Sequence, residues 1–421
     1  MTKKALLVAF HFPPLKVSSG LERTLALTRH LPAHDWSPLV LTASPMAYPA
    51  ISDERMNQIP ASTLVTRTMA LDASRHLALW GRYPSWFALP DRWQTWILSA
   101  IPVGLSLIRR HKPKVIYSTY PIVSAHWIAY ALHRISGIPW VADYRDPVAE
   151  QDERTQVLTP TWPALRRARL ACERASVQHA SALTFCTTGA KKICADRYLD
   201  ARLDRWRVIP NGYDEAAFSA AEKMLMPRTG RDAPVVLLHS GTIYPTLDRD
   251  PSHFLHALRQ VLDQRPSGAR PVQVIFRASG VESYYGPLVS FLGLSEQVIF
   301  LPAIPYEAAL LEMMNSDGLI LFQGYTSNPA IPAKLYEYFR ARRPIFALTD
   351  KQGDTARLLQ KEGVGVIAPL DHVSEIVSLL HRFLADIDAG VARLMVPDRV
   401  THFERASGAF EFAKLFDQVS S

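Results

Sequence analysis

Cysteine and long apolar runs are both scarce in this chain. Its 421 residues contain three cysteines and no CxxC pair, which argues against a disulfide framework or a cysteine zinc site and favours a reducing compartment. The most apolar stretch, residues 96–108, is too short to span a bilayer and is interrupted by a proline. The first apolar run meets a histidine and two prolines before any cleavage-like site. We therefore predict a first strand there, no signal peptide and no transmembrane helix.

Repeats and nucleic-acid motifs are absent as well. No solenoid-length repeat, heptad run or low-complexity tract occurs, which excludes solenoids and coiled coils. No helix-turn-helix, zinc-finger or RNP-like pattern occurs either, so no nucleic-acid partner is expected. The composition, 48% hydrophobic and 20% charged, is that of an ordinary globular protein. A chain of this length is expected to form two domains of about 200 residues each.

The net charge of +8 is unevenly distributed. Residues 1–214 contain 27 Lys and Arg against 16 Asp and Glu, whereas residues 215–421 contain 20 against 23. A basic half attracts an anionic partner, and the candidates are a phosphorylated ligand or the anionic leaflet of a membrane.

Short apolar runs alternate with helical stretches in both halves, a pattern typical of parallel strands joined by crossover helices. We predict an α/β fold of two Rossmann-like, doubly wound domains that face each other across a cleft. The predicted strands of the first domain are 5–10, 37–43, 62–68, 114–119, 139–144, 182–187 and 205–210. Those of the second are 234–241, 272–280, 297–302, 318–324, 343–349 and 363–369.

Residues 209–234 have turn residues, mixed charge and no strong periodicity, so the domain linker is placed there. We predict domains at 1–214 and 215–396, followed by a tail at 397–421 whose helix packs back towards the first domain. In sheets of this type, ligands bind beyond the carboxyl ends of the strands, where the strand order reverses. Functional side chains should therefore follow strands.

Two polar clusters follow strands of the first domain. Ser19 and Gly20 form a tight turn before a helix, and backbone N–H groups at such a turn suit an anion; an ordinary strand-to-helix turn is the alternative. Asp143, Arg145 and Asp146 end a very apolar strand, where a carboxylate is costly unless it is paired or used. One carboxylate could pair with Arg145 while another acts as a base or holds a hydroxyl; a purely structural ion pair is the alternative.

Two further clusters lie at the domain crossing and early in the second domain. Asn211 and Gly212 suit a turn. Gly241 ends a strand and permits close backbone approach, and Arg249 could clamp a phosphate near the next helix start. The Asp248-Arg249-Asp250 triplet matches the Asp-x-Asp pattern of a metal motif. Asp250 before Pro251 is better explained as a helix N-cap with proline at the first helical position, and no metal is expected.

The segment "NPAIPAKLYEYFRARRPIFAL", residues 328–348, predicts a helix that begins near Pro332 and is followed by a buried strand. The positive end of that helix and Lys334 suit a diphosphate, whereas Glu337 could accept hydrogen bonds from the vicinal hydroxyls of a ribose. A cation and an anion placed together in this way describe a nucleotide site. A surface Lys-Glu pair is the alternative.

The combination resembles glycosyltransferase family four, a retaining family with the two-domain GT-B fold, and in particular its bacterial surface-polysaccharide branch. The resemblance covers nearly the whole chain and is carried by "FHFPPLKVSSGLERTLALTRHL", "GIPWVADYRDP", "VIPNGYD", "HSGTIYPTLDRDP" and "IPAKLYEYFRARRPIFAL". It implies catalytic or acceptor-site roles for Asp143, Arg145 and Asp146. It implies donor-binding roles for Ser19, Gly20, Asn211, Gly241, Arg249, Asn328, Lys334 and Glu337.

The resemblance implies a nucleotide-sugar-dependent enzyme without metal or cofactor, acting on a lipid-linked saccharide in exopolysaccharide, capsule or lipopolysaccharide biosynthesis. It would be cytoplasmic and peripheral on the inner face of the plasma membrane. In one respect the chain departs from the family: Pro329 replaces the first glutamate of the Glu-x7-Glu pattern, beside Asn328. A non-catalytic sugar-nucleotide-binding partner and a nucleotide-sugar epimerase are the alternatives.

Residues 76–114 combine tryptophans with a basic end, which suits a membrane interface. The tryptophans are Trp80, Trp86, Trp93 and Trp96, and the basic residues are Arg109, Arg110, Lys112 and Lys114. Because such a stripe is also typical of a protein core, both interpretations stay open.

Overall fold

The structure, a computed structural model, describes residues 2–16, 19–152, 155–225, 233–245 and 248–421, with the side chain of Ser19 outside that description. The chain forms two compact units, residues 1–211 with 405–421, and residues 212–404. The sequence-based boundaries lie after residues 214 and 396. Among the described residues, no helix is both long enough and apolar enough to cross a bilayer.

The first unit is built on a seven-stranded sheet in which all neighbouring strands are parallel. The first-unit strands are β1 (Lys3–Val8), β2 (Trp36–Ala43), β3 (Leu64–Thr68), β4 (Val115–Thr119), β5 (Trp140–Arg145), β6 (Glu150–Gln151), β7 (Leu158–Thr159), β8 (Ala182–Phe185) and β9 (Trp206–Val208). The sheet order is β3-β2-β1-β4-β5-β8-β9, which confirms the seven predicted strands. The antiparallel pair β6-β7 was not predicted.

Helices cover both faces of this sheet because its strands are apolar on both sides. Leu6 and Val8 of β1 belong to one core, whereas Ala5 and Leu7 belong to the core on the opposite face. The helices before the crossing are α1 (Ser19–His30), α2 (Ala73–His76), α3 (Trp96–His111), α4 (Ser124–Ser136), α5 (Pro163–His179) and α6 (Thr188–Arg197).

The second unit contains a six-stranded parallel sheet. Its strands are β10 (Val235–Ser240), β11 (Val272–Arg277), β12 (Val298–Leu301), β13 (Gly318–Phe322), β14 (Ile345–Leu348) and β15 (Val366–Ala368), in the order β12-β11-β10-β13-β14-β15. All six were predicted. Its helices are α7 (Glu215–Glu222), α8 (Ser252–Asp263), α9 (Glu282–Phe291), α10 (Tyr306–Asn315), α11 (Ala333–Ala341), α12 (Asp354–Glu362), α13 (Val373–Asp388) and α14 (Pro397–Val400).

The last helix, α15 (Arg405–Ser420), returns to the first unit. Phe412 and Phe416 belong to the same core as Tyr117, and the Tyr117 and Phe412 ring centres lie 5.4 Å apart in an edge-on contact. Asp417 accepts a hydrogen bond from Trp36 Nε1 at 3.2 Å. The first part of the predicted tail, residues 397–404, belongs instead to the second unit.

In each sheet the strand order reverses at one point, between β1 and β4 in the first unit and between β10 and β13 in the second. Crossover helices leave opposite faces on the two sides of such a point, which opens a crevice at the carboxyl ends of the two strands. These two edges are where the predicted functional residues can be tested.

Candidate functional site

At the β1/β4 edge of the first unit, an arginine lies against the start of α1. A Cβ atom built on Gly20 would come within 2.9 Å of Arg145 Nη1 and 3.3 Å of His11 Nδ1. Only glycine therefore allows the guanidinium and the imidazole to approach this helix end so closely. Ser19 begins the helix, and its side chain lies outside the described residues.

Arg145 reaches this position through an irregular backbone. It has φ 53°, and the pairing of β5 with β8 shifts register between Asp143 and Arg145. Burial, and then the charge of Arg145, lower the pKa of His11 to about 4. His11 is therefore a neutral imidazole at physiological pH, and it is a site residue that the sequence analysis missed.

Asp143 has a different environment from the one predicted. The sequence predicts Arg145 as a partner for one carboxylate, but Asp143 pairs with Arg23, whose Nε and Nη2 donate hydrogen bonds at 2.8 and 3.0 Å. Three hydroxyl groups also donate to the carboxylate, namely Tyr117 at 2.7 Å, Thr119 at 3.0 Å and Thr184 at 2.6 Å.

These contacts favour a structural role for Asp143, the alternative that the sequence left open, whereas its catalytic role stays a prediction. The side chain is fully buried, and five donated hydrogen bonds occupy its two oxygens. Burial raises the pKa of Asp143, but the charge and hydrogen bonds of Arg23 outweigh that effect and hold the pKa below its ordinary value. A buried carboxylate whose pKa is lowered and whose oxygens are occupied by protein donors is poorly suited to accept a proton from a substrate.

Arg23 connects this network to the rest of the first unit. It donates to the carbonyl oxygens of Ile209 and Pro210 at 2.9 and 3.0 Å, and its guanidinium carbon lies 4.9 Å from the centre of the Phe412 ring. One buried guanidinium thus joins α1, β5, the segment after β9 and α15.

The other two predicted residues of this region lie nearer the surface. Asp146 directly follows β5 and is partly exposed. Asn211 ends the first unit and accepts a hydrogen bond from Cys186 Sγ at 3.4 Å. Asp146 is therefore the carboxylate of the predicted cluster that remains suited to chemistry.

At the β10/β13 edge of the second unit, Lys334 lies over the turn that follows β10. A Cβ atom on Gly241 would come within 2.9 Å of Lys334 Nζ, and Gly241 has φ 114°, which side chains rarely adopt. Glycine at this position therefore permits the positive φ and leaves room for the side chain of Lys334. The structure brings these two predicted residues together.

His239, near the end of β10, contacts the side chain of Lys334 and fixes its position. Its Nδ1 lies 3.0 Å from the carbonyl oxygen of Ile320 and its Nε2 lies 3.3 Å from Lys334 Nζ. Because a carbonyl can only accept, Nδ1 carries the proton and the Nε2 lone pair faces the ammonium group. Burial, followed by the charge of Lys334, lowers the pKa of His239 and keeps it neutral.

The lysine is itself strongly perturbed. Burial and the charge of Arg249 lower the pKa of Lys334 from 10.5 to about 7, against the opposing effect of Glu337. Two cations in electrostatic contact at one strand edge favour the binding of an anion that relieves their repulsion.

Arg249 is held in the loop before α8, as predicted from its position near a helix start. Its Nη1 donates to the carbonyl oxygen of Thr242 at 3.0 Å, and its guanidinium lies 5.0 Å from the Tyr244 ring centre. Asp250 accepts a hydrogen bond at 2.8 Å from the backbone N–H of Ser252, the first residue of α8. The N-cap position of this helix is Pro251, one residue after the predicted Asp250.

Glu337 lies one turn further along α11 than Lys334. Its Oε1 accepts a hydrogen bond from Tyr306 at 2.8 Å. Since α11 begins at Ala333, with Pro332 immediately before it, the free N–H groups of its first turn belong to the same strand edge.

The loop before α11 is fixed from two sides. Gln323 Nε2 donates to the carbonyl oxygens of Ser327 and Ala330 at 2.7 and 2.8 Å. Asn328, predicted as a donor-binding residue, donates from Nδ2 to Asp350 at 2.6 Å. These contacts fix the loop in the conformation that leads into α11.

Together, the second-unit residues can bind a diphosphate beside a diol. The helix end, Lys334 and Arg249 supply positive charge, and Glu337 supplies an acceptor for hydroxyl groups. No group of three or more metal-ligating side chains occurs among the described residues.

The first half of the chain is similar to a known protein family. Residues 20–212 match the family model described as a glycosyl transferase 4-like domain. No curated protein sequence matches the chain.

Solved structures that share the fold span nearly the whole chain. Sucrose-phosphate synthase from Thermosynechococcus elongatus has a TM-score of 0.66 at 16% identity and covers 99% of this chain and 98% of its own. Anabaena HepE in complex with UDP and glucose has a TM-score of 0.61 at 16% identity, with 99% and 100% coverage. The lipopolysaccharide outer core galactosyltransferase WaaB has a TM-score of 0.59 at 11% identity, with 99% of each chain covered. These likenesses show the GT-B fold.

Proposed function

We propose that this protein is a retaining glycosyltransferase that uses a nucleotide sugar, on the premise that residues 20–212 match the model of a glycosyl transferase 4-like domain. The second unit binds the donor and the first unit binds the acceptor. The reaction transfers the sugar from the nucleoside diphosphate to an acceptor hydroxyl and needs no metal ion.

The observation that carries this proposal is the arrangement at the β10/β13 edge. Lys334 lies against Gly241 and His239, Arg249 lowers the pKa of Lys334, and Glu337 follows on the same helix. A diphosphate fits the two cations and the helix N-terminus, while a ribose diol fits the carboxylate. UDP and glucose are bound by one of the solved structures with this fold.

The mechanism follows from where charge develops. The departing nucleoside diphosphate gains negative charge as the glycosidic bond breaks, and Lys334, Arg249 and the N–H groups of α11 stabilise it in the place of a divalent ion. The acceptor hydroxyl attacks on the face that the leaving group vacates, so the anomeric configuration is retained. On the first unit, Asp146 accepts the proton that the acceptor hydroxyl loses. Arg145, whose guanidinium lies beside the start of α1, binds the anionic part of the substrates.

We propose a lipid-linked saccharide as acceptor, in bacterial surface-polysaccharide biosynthesis. The excess of basic residues in the first 214 positions suits an anionic, diphosphate-linked acceptor. WaaB, which shares the fold, is a lipopolysaccharide galactosyltransferase. Pro329 stands where family four has a glutamate, so the adjacent Asn328 is the residue we assign to the donor sugar.

The proposal is tested by incubating the protein with a panel of nucleotide sugars and extracted lipid-linked acceptors, with and without chelator. We expect one donor to be consumed, the product to keep the anomeric configuration of the donor, and the rate to be unaffected by chelation. Inverted product or a strict metal requirement would overturn the mechanism. Donor binding without any turnover would identify a sugar-nucleotide-binding partner instead.

Replacing Glu337 by alanine should weaken nucleotide binding by about tenfold or more, because a charged acceptor for two hydroxyl groups is lost. The measurement is the Kd of UDP, or of the best-binding nucleoside diphosphate, and of its 2′,3′-dideoxy analogue. Removing the hydroxyl groups should weaken binding to the wild type but not to Glu337→Ala. Glu307→Ala, at an exposed carboxylate of α10, is the matched control. Equal sensitivity of both variants to the hydroxyl groups would exclude Glu337 as the ribose ligand.

Donor affinity should depend on pH through Lys334. With the pKa of Lys334 lowered to about 7, the side chain is charged below that pH and neutral above it in the free protein. Affinity for a nucleotide sugar, whose diphosphate diester does not titrate near neutrality, should therefore fall above pH 7 by at most about tenfold per unit. Lys334→Arg, which stays charged, should remove this dependence. A wild-type affinity that is constant between pH 6 and 9, within about twofold, would contradict it.

A further inference from the structure

The structure divides the four tryptophans of residues 76–114 into two kinds. Trp96 is fully buried and donates from Nε1 to Thr68 Oγ1 at 2.8 Å, and Trp93 is partly buried and donates to the carbonyl oxygen of Ala47 at 3.2 Å. These two belong to the core of the first unit. Trp80 is 100% exposed and Trp86 is 60% exposed.

Trp80 occupies the tip of a tight turn. Leu79 and Arg82 exchange two backbone hydrogen bonds, at 2.8 and 3.0 Å, around Trp80 with φ 47° and Gly81 with φ 74°. Positive φ at both central residues is the type I′ geometry, for which Asn-Gly is the favoured sequence. A tryptophan is a poor residue for this turn and gains no packing there, so its presence is not explained by folding.

Further exposed apolar side chains lie within a few residues of Trp80 in the sequence. Leu79 is 75% exposed, and Trp86 stacks on Phe87 with ring centres 3.8 Å apart. The carbonyl oxygen of Trp86 accepts a hydrogen bond from Gln94 Nε2 at 2.7 Å. Leu98, four residues after Gln94, is 79% exposed. We call residues 79–87 the aromatic turn.

The sequence segment that carries the aromatic turn has exposed charges of one sign. Between residues 73 and 142 the sequence contains eight Lys and Arg but a single acidic residue, Asp91. Asp91 is buried, where it accepts hydrogen bonds from the backbone and side chain of Ser124. The exposed charges of this segment, including Arg82 beside Trp80, are therefore all positive.

We propose that the aromatic turn inserts into the interfacial region of a membrane that contains anionic lipid. Tryptophan and leucine bury apolar area between the headgroups, and the basic residues of the segment 73–142 are attracted to the negative charge of the leaflet. A protein partner would satisfy the apolar side chains equally well, but the absence of exposed acidic residues over seventy positions favours a continuous anionic surface. This docking goes beyond the sugar transfer proposed above and does not depend on donor binding.

The test is co-sedimentation of the full chain with vesicles of phosphatidylcholine, with and without phosphatidylglycerol. Trp80→Asn creates the favoured Asn-Gly turn, so it removes the aromatic group while preserving the fold. We expect the wild type to bind anionic vesicles in a salt-sensitive way, and Trp80→Asn combined with Trp86→Ser to lower the partition constant by about tenfold or more. Phe291→Ser, at an 83% exposed aromatic residue of the second unit, is the matched control and should bind as the wild type does.

Three outcomes would overturn the proposal. In the first, the wild type does not sediment with anionic vesicles. In the second, the double variant binds these vesicles as tightly as the wild type does. In the third, the wild type binds no lipid but self-associates, and the double variant does not. The Kd for nucleotide should be the same in the wild type and the double variant. Loss of vesicle binding with intact nucleotide binding separates this proposal from the proposed function.

Discussion

Replacing Gly241 by alanine should lower the affinity for a nucleotide sugar by about 10-fold to 100-fold while the second unit stays folded. Two effects of the substitution act together. The backbone at φ 114° is strained for any residue with a Cβ atom, and that atom would lie 2.9 Å from Lys334 Nζ. The ammonium group must therefore move away from the place where we expect the diphosphate. Calorimetric titration measures the loss.

Two comparisons separate displacement of the lysine from general damage. Gly286→Ala lies in α9, with no atom within 4 Å of the new Cβ, and should leave affinity unchanged and Tm unchanged or slightly raised, because alanine favours a helix. In a Lys334→Ala background, Gly241→Ala should cost much less affinity, because the atom that it displaces is already missing. Fully additive losses would mean that Gly241 acts independently of Lys334, contrary to the geometry described.

The second large effect concerns stability. Replacing Arg23 by methionine should lower the free energy of unfolding of the first unit by about 3–5 kcal/mol, because the buried charge of Asp143 loses its partner. Arg29→Met, on the same helix but partly exposed, should cost about 1 kcal/mol or less. Denaturant unfolding monitored by circular dichroism gives both values. A cost for Arg23→Met as small as that of Arg29→Met would contradict the structural role of the pair.

The hydrogen bonds around Asp143 give it a different expected role from Asp146, the other carboxylate of the predicted catalytic cluster. Asp143→Asn should lower Tm strongly but leave kcat unchanged well below the transition, because Asp143 touches only protein groups. Asp146→Asn should leave Tm unchanged and lower kcat, since Asp146 is partly exposed at the strand end. The reverse pattern would restore Asp143 as the catalytic residue.

The strands could be predicted from the sequence because each sheet is buried on both faces. All five residues of β13, for example, are buried, and such a strand appears as a continuous apolar run between turn residues. The short pair β6-β7 has no such signal, since three of its four residues are exposed. The start of α15 was missed because α14 and the turn after it share the helical spacing of the tail.

The side-chain partners could not be predicted in the same way. Arg23 and Asp143 are 120 positions apart, and His239 and Lys334 are 95 apart. The sequence shows that a carboxylate in an apolar strand needs a cation, but the nearest candidate, Arg145, turns away at a bulge towards Gly20. His239 carries a similar signal, because it is a polar residue inside a buried strand, two positions before Gly241.

The central claim is that the β10/β13 edge of the second unit binds the diphosphate of a sugar nucleotide. The most direct test is a crystal structure of the protein with a bound nucleoside diphosphate. We predict phosphate oxygens within hydrogen-bond distance of Lys334 Nζ and of the first N–H groups of α11, with the ribose hydroxyl groups on Glu337. A nucleotide bound elsewhere in the chain, with Lys334 still directed only at His239, would contradict the account.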